Sequence, residues 1–201
     1  NKLSEEDKSF TVTKASETGE SLIGGQGEVH LDVICKKLKS KFGAEAVLKT
    51  PKIAYRETIL STSTAEGKYK KQTGGHGQYG HCKMRFEPSD QPFEFAEEVV
   101  GGAVPKQYMP AVEKGIIECL SNGVLAGYPV MNIKAVLYDG SYHDVDSSEA
   151  AFKAAAELAF KEGLKNANPT ILEPICKMRI AVPEKYLGDV LGDLTKRRGR
   201  R

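Results

Sequence analysis

The side chains best suited to chemistry lie close together in Asp139–Glu149, whose sequence is Asp-Gly-Ser-Tyr-His-Asp-Val-Asp-Ser-Ser-Glu. A hydroxyl, a phenol, an imidazole and a carboxylate follow one another there, in Ser141, Tyr142, His143 and Asp144. Serine, histidine and aspartate are the parts of a hydrolase triad, but neighbours on one turn rarely converge on a reacting atom. Tyrosine and histidine also stack on unpaired bases and bond to base edges or 2′-hydroxyls. The segment is therefore either an RNA-contacting loop or an incidental exposed connection.

A second stretch with chemical possibilities is rich in glycine. Its Gly75-x-Gly77-x-x-Gly80 spacing matches the dinucleotide-binding fingerprint of oxidoreductases, which needs a helix directly after it. The pattern here predicts a following strand, and so favours a hairpin turn or a loop that lets an RNA backbone approach closely. No Gly-x-x-x-x-Gly-Lys-Ser/Thr motif occurs, so this sequence has no phosphate-binding loop of that kind for GTP or ATP.

The composition is that of an ordinary globular protein of 201 residues, 40% hydrophobic and 28% charged, with a formal net charge of +2. No apolar run approaches the length of a membrane span, and the first residues lack the apolar region of a signal peptide. His76 and His81 lack two further metal ligands at sensible spacing. The cysteines lie in apolar patterns, which predicts buried thiols in a reducing cytoplasm rather than disulfides or a zinc site. They are Cys35, Cys82, Cys119 and Cys176.

Two clusters of basic residues stand out against the nearly neutral net charge. Lys68, Lys70 and Lys71 form one, and Lys196–Arg201 contains five cations among its six residues. Basic clusters can contact phosphates, although exposed lysines and arginines are more often solvated surface.

Hydrophobic periodicity divides the chain into three segments, and it predicts that the first is a small α+β unit. It contains a hairpin of Phe10–Ala15 and Ser21–Ile23, a helix from Gly27 to Phe42, and a strand at Ala46–Leu48. The inward stripe of the helix is Val29, Val33, Ile34 and Leu38. About 50 residues make a thin core, so we expect residues that precede Asn1 to complete this unit.

The second and largest segment must position both candidate loops. Strands are predicted at Tyr55–Ser61, Gly67–Gln72, His81–Phe86, Phe93–Val100 and Val130–Tyr138. In His81–Phe86, alternation points Cys82, Met84 and Phe86 inward and gives His81, Lys83 and Arg85 a basic, solvated face. One helix opens at Pro105. Another, Glu149–Lys165, has a buried stripe of Phe152, Ala156, Ala159, Phe160 and Gly163, and Asp146 with Glu149 has capping-box spacing.

The third segment begins after a predicted linker, Leu172–Pro174. Ile175–Ala181 alternates like a strand, and Tyr186–Arg197 reads as a helix with Leu187, Val190, Leu191 and Leu194 inward. One strand and one helix cannot close a core, so we expect this end to belong to something larger as well.

Several motifs, in order along nearly the whole chain, resemble elongation factor G, a translational GTPase. Asp139–Glu149 is similar to the tip loop of domain IV in that family. Gly74-Gly-His-Gly-Gln-Tyr-Gly-His81 is similar to the other signature loop of that domain. Further matching stretches are Gly25–Leu31, Pro51–Glu57, Val100–Pro105, Gly123–Pro129, Ala159–Glu162, Leu172–Ile175 and Tyr186–Asp193.

The resemblance implies an α+β fold in three parts. Residues 1–57 would be a partial, ferredoxin-like domain III. Residues 58–172 would be domain IV, an α/β domain of the ribosomal-protein type with a left-handed crossover. Residues 173–201 would be the start of a truncated, ferredoxin-like domain V. The GTPase domain would be absent, so this chain is expected to be no enzyme and to hold no cofactor or metal, with GTP and Mg²⁺ bound elsewhere in the parent protein.

The resemblance also implies the partners. Domain IV of the family enters the decoding site of the ribosome during translocation, where its tip contacts the tRNA–mRNA duplex beside ribosomal RNA. The RNA-contacting residues carried over by position are Ser141, Tyr142, His143, Asp144, His76, Gly77, Gln78 and Tyr79. A cytoplasmic monomer without membrane contact is expected.

One position departs from the family pattern. Many members have arginine where this chain has His76, and a histidine with an unperturbed pKa of about 6.5 is largely neutral at pH 7. A divergent paralogue that acts only in ribosome recycling therefore stays open as an alternative to the housekeeping factor. A ribosome-protection factor is a further alternative, against which the Gly-Ser-Tyr-His-Asp sequence argues.

Overall fold

The structure is a computed structural model that describes residues 2–15, 18–73 and 76–200, without the side chains of Lys2, Thr73 and His76. The N-terminal unit begins with helix α1 (Lys2–Glu6). The predicted hairpin is confirmed as strands β1 (Thr11–Lys14) and β2 (Ser21–Gly24), which pair antiparallel. Helix α2 (Glu28–Phe42) follows, and Gly43 ends it with a φ of 64°. The small core of this unit is Leu3, Phe10 and Ile34.

Two predictions for the N-terminal unit are wrong. The inward stripe of α2 is narrower than expected, because Ile34 is buried whereas Val29 and Val33 are 78% and 42% exposed. The core around Ile34 is small, with Leu3 and Phe10 buried and Ile23 and Leu38 partly buried against it, so it covers only one side of the helix. Residues 46–48 form no strand, since none of the strands in the described residues pairs with their backbone groups.

The centre of the fold is a four-stranded sheet in the order β4-β5-β7-β6. Strands β4 (Ser63–Thr73), β5 (His76–Pro88) and β7 (Ile133–Ser141) pair antiparallel. Strand β6 (Phe93–Glu97) runs parallel to β7, and the connection between them contains helix α3 (Met109–Cys119) after a short 3₁₀ turn. Helix α4 (Glu149–Asn166) follows β7. The mixed α+β class predicted from the sequence is confirmed.

One face of this sheet packs against α4 and α3 to form the main core. In β5, Cys82, Met84 and Phe86 are fully buried as predicted, and the ring of Phe86 meets Phe160 of α4 edge-on at 5.9 Å. The predicted stripe of α4 is likewise buried. Burial of the Cys82 thiol raises its pKa to about 12. The prediction of buried thiols is confirmed for Cys82. Cys35 and Cys119 are only partly buried, and the prediction is wrong for Cys176, which is exposed.

The other face of the sheet is polar, but it is less basic and less solvated than the alternation predicted. His81 is buried, with only 9% of its surface exposed. Lys83 pairs with Asp139 at 2.8 Å, and Arg85 pairs with Glu98 at 3.0 Å. Carboxylates from the neighbouring strand β7 (Asp139) and from the residue that follows β6 (Glu98) therefore neutralise this face.

Two short strands close the central unit beside the sheet. Strand β3 (Arg56–Ile59) pairs antiparallel with β8 (Pro169–Leu172). Glu57 of β3 is 1% exposed, and its carboxylate accepts hydrogen bonds from the backbone N–H groups of Leu125, Ala126 and Tyr128 at 2.9, 2.7 and 3.1 Å. This buried side chain fixes the loop that leads into β7.

The C-terminal segment contains one helix, α5 (Leu187–Lys196), after a 3₁₀ turn at Glu184–Tyr186. The strand predicted at 175–181 is absent from the described structure, and Ile175 is 97% exposed. Among the described residues no strand lies beside 175–181, so the alternating pattern has no partner strand. None of the helices in the described residues is long and apolar enough to cross a membrane.

Candidate nucleic-acid interface

Both candidate segments lie at the same end of the central sheet. Strand β5 pairs with β7 so that His81 is opposite Ser141, and a further bridge joins Tyr79 to Ser147. We call the surface formed by Gly77–Tyr79 and Ser141–Ser148 the tip. The two stretches, 62 or more residues apart in sequence, are thus brought side by side by strand pairing.

The first stretch is strand rather than loop. Gly77, Gln78 and Tyr79 belong to β5, opposite Gln72, Lys71 and Lys70 of β4. The turn is therefore shorter than the glycine-rich sequence suggested, and Gly74 and Gly75 lie outside the described residues. His76 is the first residue of β5. Its side chain, like Gly74 and Gly75, lies outside the described part of the structure.

Ser141 ends strand β7 and anchors the tip from within. Its Oγ lies 2.7 Å from the Tyr79 hydroxyl and 2.6 Å from Nδ1 of His81. Nε2 of His81 in turn lies 2.9 Å from Oε1 of Glu66, but without the alignment of a hydrogen bond. A serine, a histidine and a carboxylate do meet here, yet the serine hydroxyl already has two partners and is not free to attack a substrate.

The exposed part of the tip is the turn that follows Ser141. Tyr142, His143 and Asp144 are exposed, with 45% of the Tyr142 surface accessible. They offer an aromatic ring, an imidazole and a carboxylate to a partner. Of the eight predicted contact residues, these three and Gln78 are exposed, whereas Ser141, Gly77 and Tyr79 are partly buried.

His143 is held by its own turn. Its Nδ1 accepts hydrogen bonds from the backbone N–H groups of Val145 and Asp146, both at 3.3 Å, while its backbone N–H donates to Ser147 Oγ at 2.9 Å. Two donors at Nδ1 require that nitrogen to be unprotonated, so the proton is on Nε2. The approach of Asp146 Oδ2 to 3.7 Å is therefore no ion pair in this state. The neutral ring retains one N–H donor for a partner.

Asp146 joins the turn to strand β5. Its Oδ1 accepts from the backbone N–H of Gly77 at 3.1 Å, and its backbone oxygen accepts from the N–H of Tyr79 at 2.8 Å. The predicted role of Asp146 as helix cap is wrong. Ser148 caps α4 instead, with its Oγ accepting from Ala151 N–H at 3.2 Å.

The tip is supported by close backbone packing between β5 and α4. A Cβ on Gly80 would lie 2.3 Å from the backbone oxygen of Ala151, so β5 and the first turn of α4 are in direct contact. The Tyr108 hydroxyl donates to the Ser147 backbone oxygen at 3.2 Å, and its ring stacks on Phe152 at 4.8 Å. The turn is therefore fixed by a strand, a helix and a tyrosine from a third element.

The ion pair between Lys83 and Asp139, at the base of the tip, stays charged at neutral pH. A hydrogen bond from Lys83 is the main cause that lowers the pKa of Asp139, and the reciprocal bond raises the pKa of Lys83. Neither side chain is offered to a partner as a free charge. Within the described residues, no group of three histidine, cysteine, aspartate or glutamate side chains is placed to hold a metal ion.

Sequence reasoning missed the residues that support the tip. Helical periodicity places Tyr108 in the helix core, and strand alternation places His81 on a solvated face. The sequence offered one signal for Tyr108, which is a phenol at the start of a helix. A buried tyrosine hydroxyl usually finds a hydrogen-bond partner, so this residue could have been expected to bond to a neighbouring element.

Comparison with known families accounts for nearly every residue. The profile described as elongation factor G, domain III, matches residues 1–50, and the domain IV profile matches residues 51–168. The chain belongs to the elongation factor G family. The profile of the elongation factor G C-terminus matches residues 170–201. None of these three matches is to a GTPase domain.

A solved structure shares the fold of this chain. The fold is similar to a crystal structure of a protein from Thermus thermophilus, with a TM-score of 0.89 and 49% sequence identity over 99% of this chain. This chain spans 30% of the length of that protein.

Proposed function

We propose that this chain is part of a translation factor that promotes GTP-driven translocation of tRNA and mRNA on the ribosome. In this proposal the tip contacts the tRNA–mRNA duplex in the decoding site. The domain IV match over residues 51–168 carries the proposal. It is supported by a rigidly held turn that exposes Tyr142 and His143, side chains suited to unpaired bases, base edges and 2′-hydroxyls.

The proposed division of labour within the tip follows from exposure. Tyr142 offers a ring for stacking, and the Nε2–H of His143 is a donor for a phosphate, a 2′-hydroxyl or a base edge. Asp144 and Gln78 flank them as further polar contacts. Ser141, Gly77 and Tyr79, which are partly buried, would act mainly by holding the exposed residues in place.

The remaining parts of the proposal concern the whole protein. We place domain boundaries at 1–57, 58–172 and 173–201, close to the limits of the family matches. The first boundary falls within β3 (Arg56–Ile59), whose pairing with β8 belongs to the central unit. GTP and Mg²⁺ would bind outside this chain. Ribosomal RNA would be a further partner, and the protein would work in the cytoplasm as a monomer.

Two variants of His143 test whether the imidazole contacts RNA. In His143→Asn, the side-chain oxygen can still accept from the N–H two residues on, as in an Asx turn, but the outward Nε2–H is lost. We expect this variant of the full-length protein to translocate about tenfold more slowly, since a lost hydrogen bond of about 1.4 kcal/mol gives that factor. Ribosome-dependent GTP turnover should stay unchanged. Rapid-kinetic translocation assays and phosphate release measure the two.

The control is His143→Ala, which removes both the outward donor and the acceptor of the turn. Slow translocation by the alanine variant with normal translocation by the asparagine variant would contradict the proposed RNA contact, because the histidine would then serve only the turn. Ribosome splitting without translocation by the wild-type protein would favour the recycling alternative.

A further inference from the structure

We propose that Lys68, Lys70 and Lys71 of strand β4 form a basic strip that binds the phosphate backbone of RNA beside the tip. This inference rests on the proposed function and adds a second contact to it. The tip reads bases and hydroxyls at the end of the sheet, and the basic strip holds the neighbouring backbone along its edge.

The position of the basic strip follows from the strand register. β4 is an edge strand of the central sheet, and Lys70 and Lys71 lie opposite Tyr79 and Gln78 of the tip. The Nζ of Lys68 is 6.0 Å from the centroid of the Tyr79 ring. The hydroxyl of Tyr79 in turn bonds to Ser141, the residue before the exposed turn. The basic strip is thus continuous with the tip.

The charges of the basic strip are available, in contrast to those of the adjacent strand. All three lysines are exposed, and the structure gives none of them an ion pair within the residues it describes. On β5, by comparison, Lys83 is paired with Asp139 and Arg85 with Glu98. Cations already neutralised by carboxylates attract phosphates weakly, whereas unpaired lysines release counterions when they bind them.

Geometry favours an extended polyanion over a compact anion. Alternate residues on a strand share a face about 6.7 Å apart, so Lys68 and Lys70 point to the same side while Lys71 points to the other. Three ammonium groups spread along a strand do not converge on one small ion. Long flexible stems on both sides of one strand edge can reach successive phosphates of a nucleic-acid strand that lies along that edge.

Lysines on an edge strand can also serve a role other than RNA binding, and the test must distinguish the two roles. Charges along an exposed edge prevent it from pairing with the edge of another copy. In that case the three lysines would keep the protein monomeric and would not contribute to RNA binding.

The experiment compares two triple variants of the full-length protein with equal loss of charge. One is Lys68→Gln/Lys70→Gln/Lys71→Gln. The matched control is Lys106→Gln/Lys114→Gln/Lys165→Gln, which changes exposed lysines in the α3 and α4 region. Affinity for ribosomes that carry tRNA and mRNA is measured across a salt series. Each phosphate contact contributes about 0.7 to 0.9 to the slope of log affinity against log salt, so the strip variant should lower the slope by about 2 to 3. The control variant should leave it unchanged.

Each outcome bears on the inference. Equal slopes for the wild type and the strip variant would overturn it while leaving the proposed function intact. An equal decrease of the slope in both triple variants would also overturn it, because it would indicate only a general electrostatic attraction. Self-association of the strip variant with normal ribosome binding would assign the lysines to edge protection and overturn it too. Failure of the wild type to bind ribosomes would overturn the proposed function itself. Restoration of the slope by Lys→Arg at the same three positions would support the basic strip.

Discussion

Replacing Gly67 with alanine is expected to lower the free energy of unfolding by about 3 kcal/mol, the upper part of the range for overpacking a well-packed core. A Cβ at this position in β4 would lie 1.9 Å from the backbone oxygen of Ala155 and 2.8 Å from the backbone nitrogen of Ala159. Backbone atoms of a helix cannot turn aside as a side chain can. Helix α4 must therefore move away from the sheet, and the packing of Phe152 and Phe160 is loosened.

Urea unfolding followed by far-ultraviolet circular dichroism measures this loss. Gly192→Ala in α5 is the control, because a Cβ there meets nothing within 4 Å. Alanine is favoured over glycine inside a helix by about 1 kcal/mol, so this variant should be neutral or slightly more stable. Equal stability of the two variants would mean that the sheet and α4 are not in backbone contact at Gly67.

Removal of the Glu57 carboxylate should also be costly. The Glu57→Ala variant leaves the N–H groups of Leu125, Ala126 and Tyr128 without their acceptor, and unsatisfied buried donors cost about 1 to 3 kcal/mol each. Because water can reach part of the loop once the side chain is gone, we expect a total loss of about 3 kcal/mol. The same urea experiment measures it.

Two controls separate the carboxylate from the general effect of a substitution. Glu57→Gln keeps one acceptor oxygen but turns an amide donor toward the remaining N–H, so an intermediate loss of about 1.5 kcal/mol is expected. Glu162→Ala, at an exposed position of α4, should change stability by less than about 0.5 kcal/mol. A Glu57→Ala variant as stable as Glu162→Ala would contradict the role of Glu57 as the anchor of this loop.

The sequence was sufficient to predict the elements with strong periodicity. The alternation of Cys82, Met84 and Phe86 and the helical spacing of Phe152 and Phe160 each reflect one buried face, which a local pattern records directly. The class of the fold and the family followed from these elements and from motifs that occur in order along the chain.

The limits of the predicted loops could not be read in the same way. Asp139–Ser141 have the composition of a loop but extend β7, because β5 is long enough to pair with them across an irregular register beside Lys83. Asp146 has the chemistry of a helix cap, yet strand β5 offers it the N–H of Gly77, and Ser148 caps the helix instead. Such choices are made by partners distant in sequence. Strands predicted at 46–48 and 175–181 failed for the converse reason, since alternation cannot reveal whether a partner strand is present.

The proposed contact between the tip and the tRNA–mRNA duplex can be tested most directly by photo-crosslinking. A benzophenone-bearing phenylalanine replaces Tyr142 in the full-length protein, and in a separate variant it replaces Leu158 of α4. The two positions are matched in exposure, at 45% and 44%. On ribosomes stalled during translocation, position 142 should crosslink to mRNA or to the tRNA anticodon, and position 158 should not. Absence of these crosslinks from position 142, or equal yields from both positions, would contradict the proposed contact.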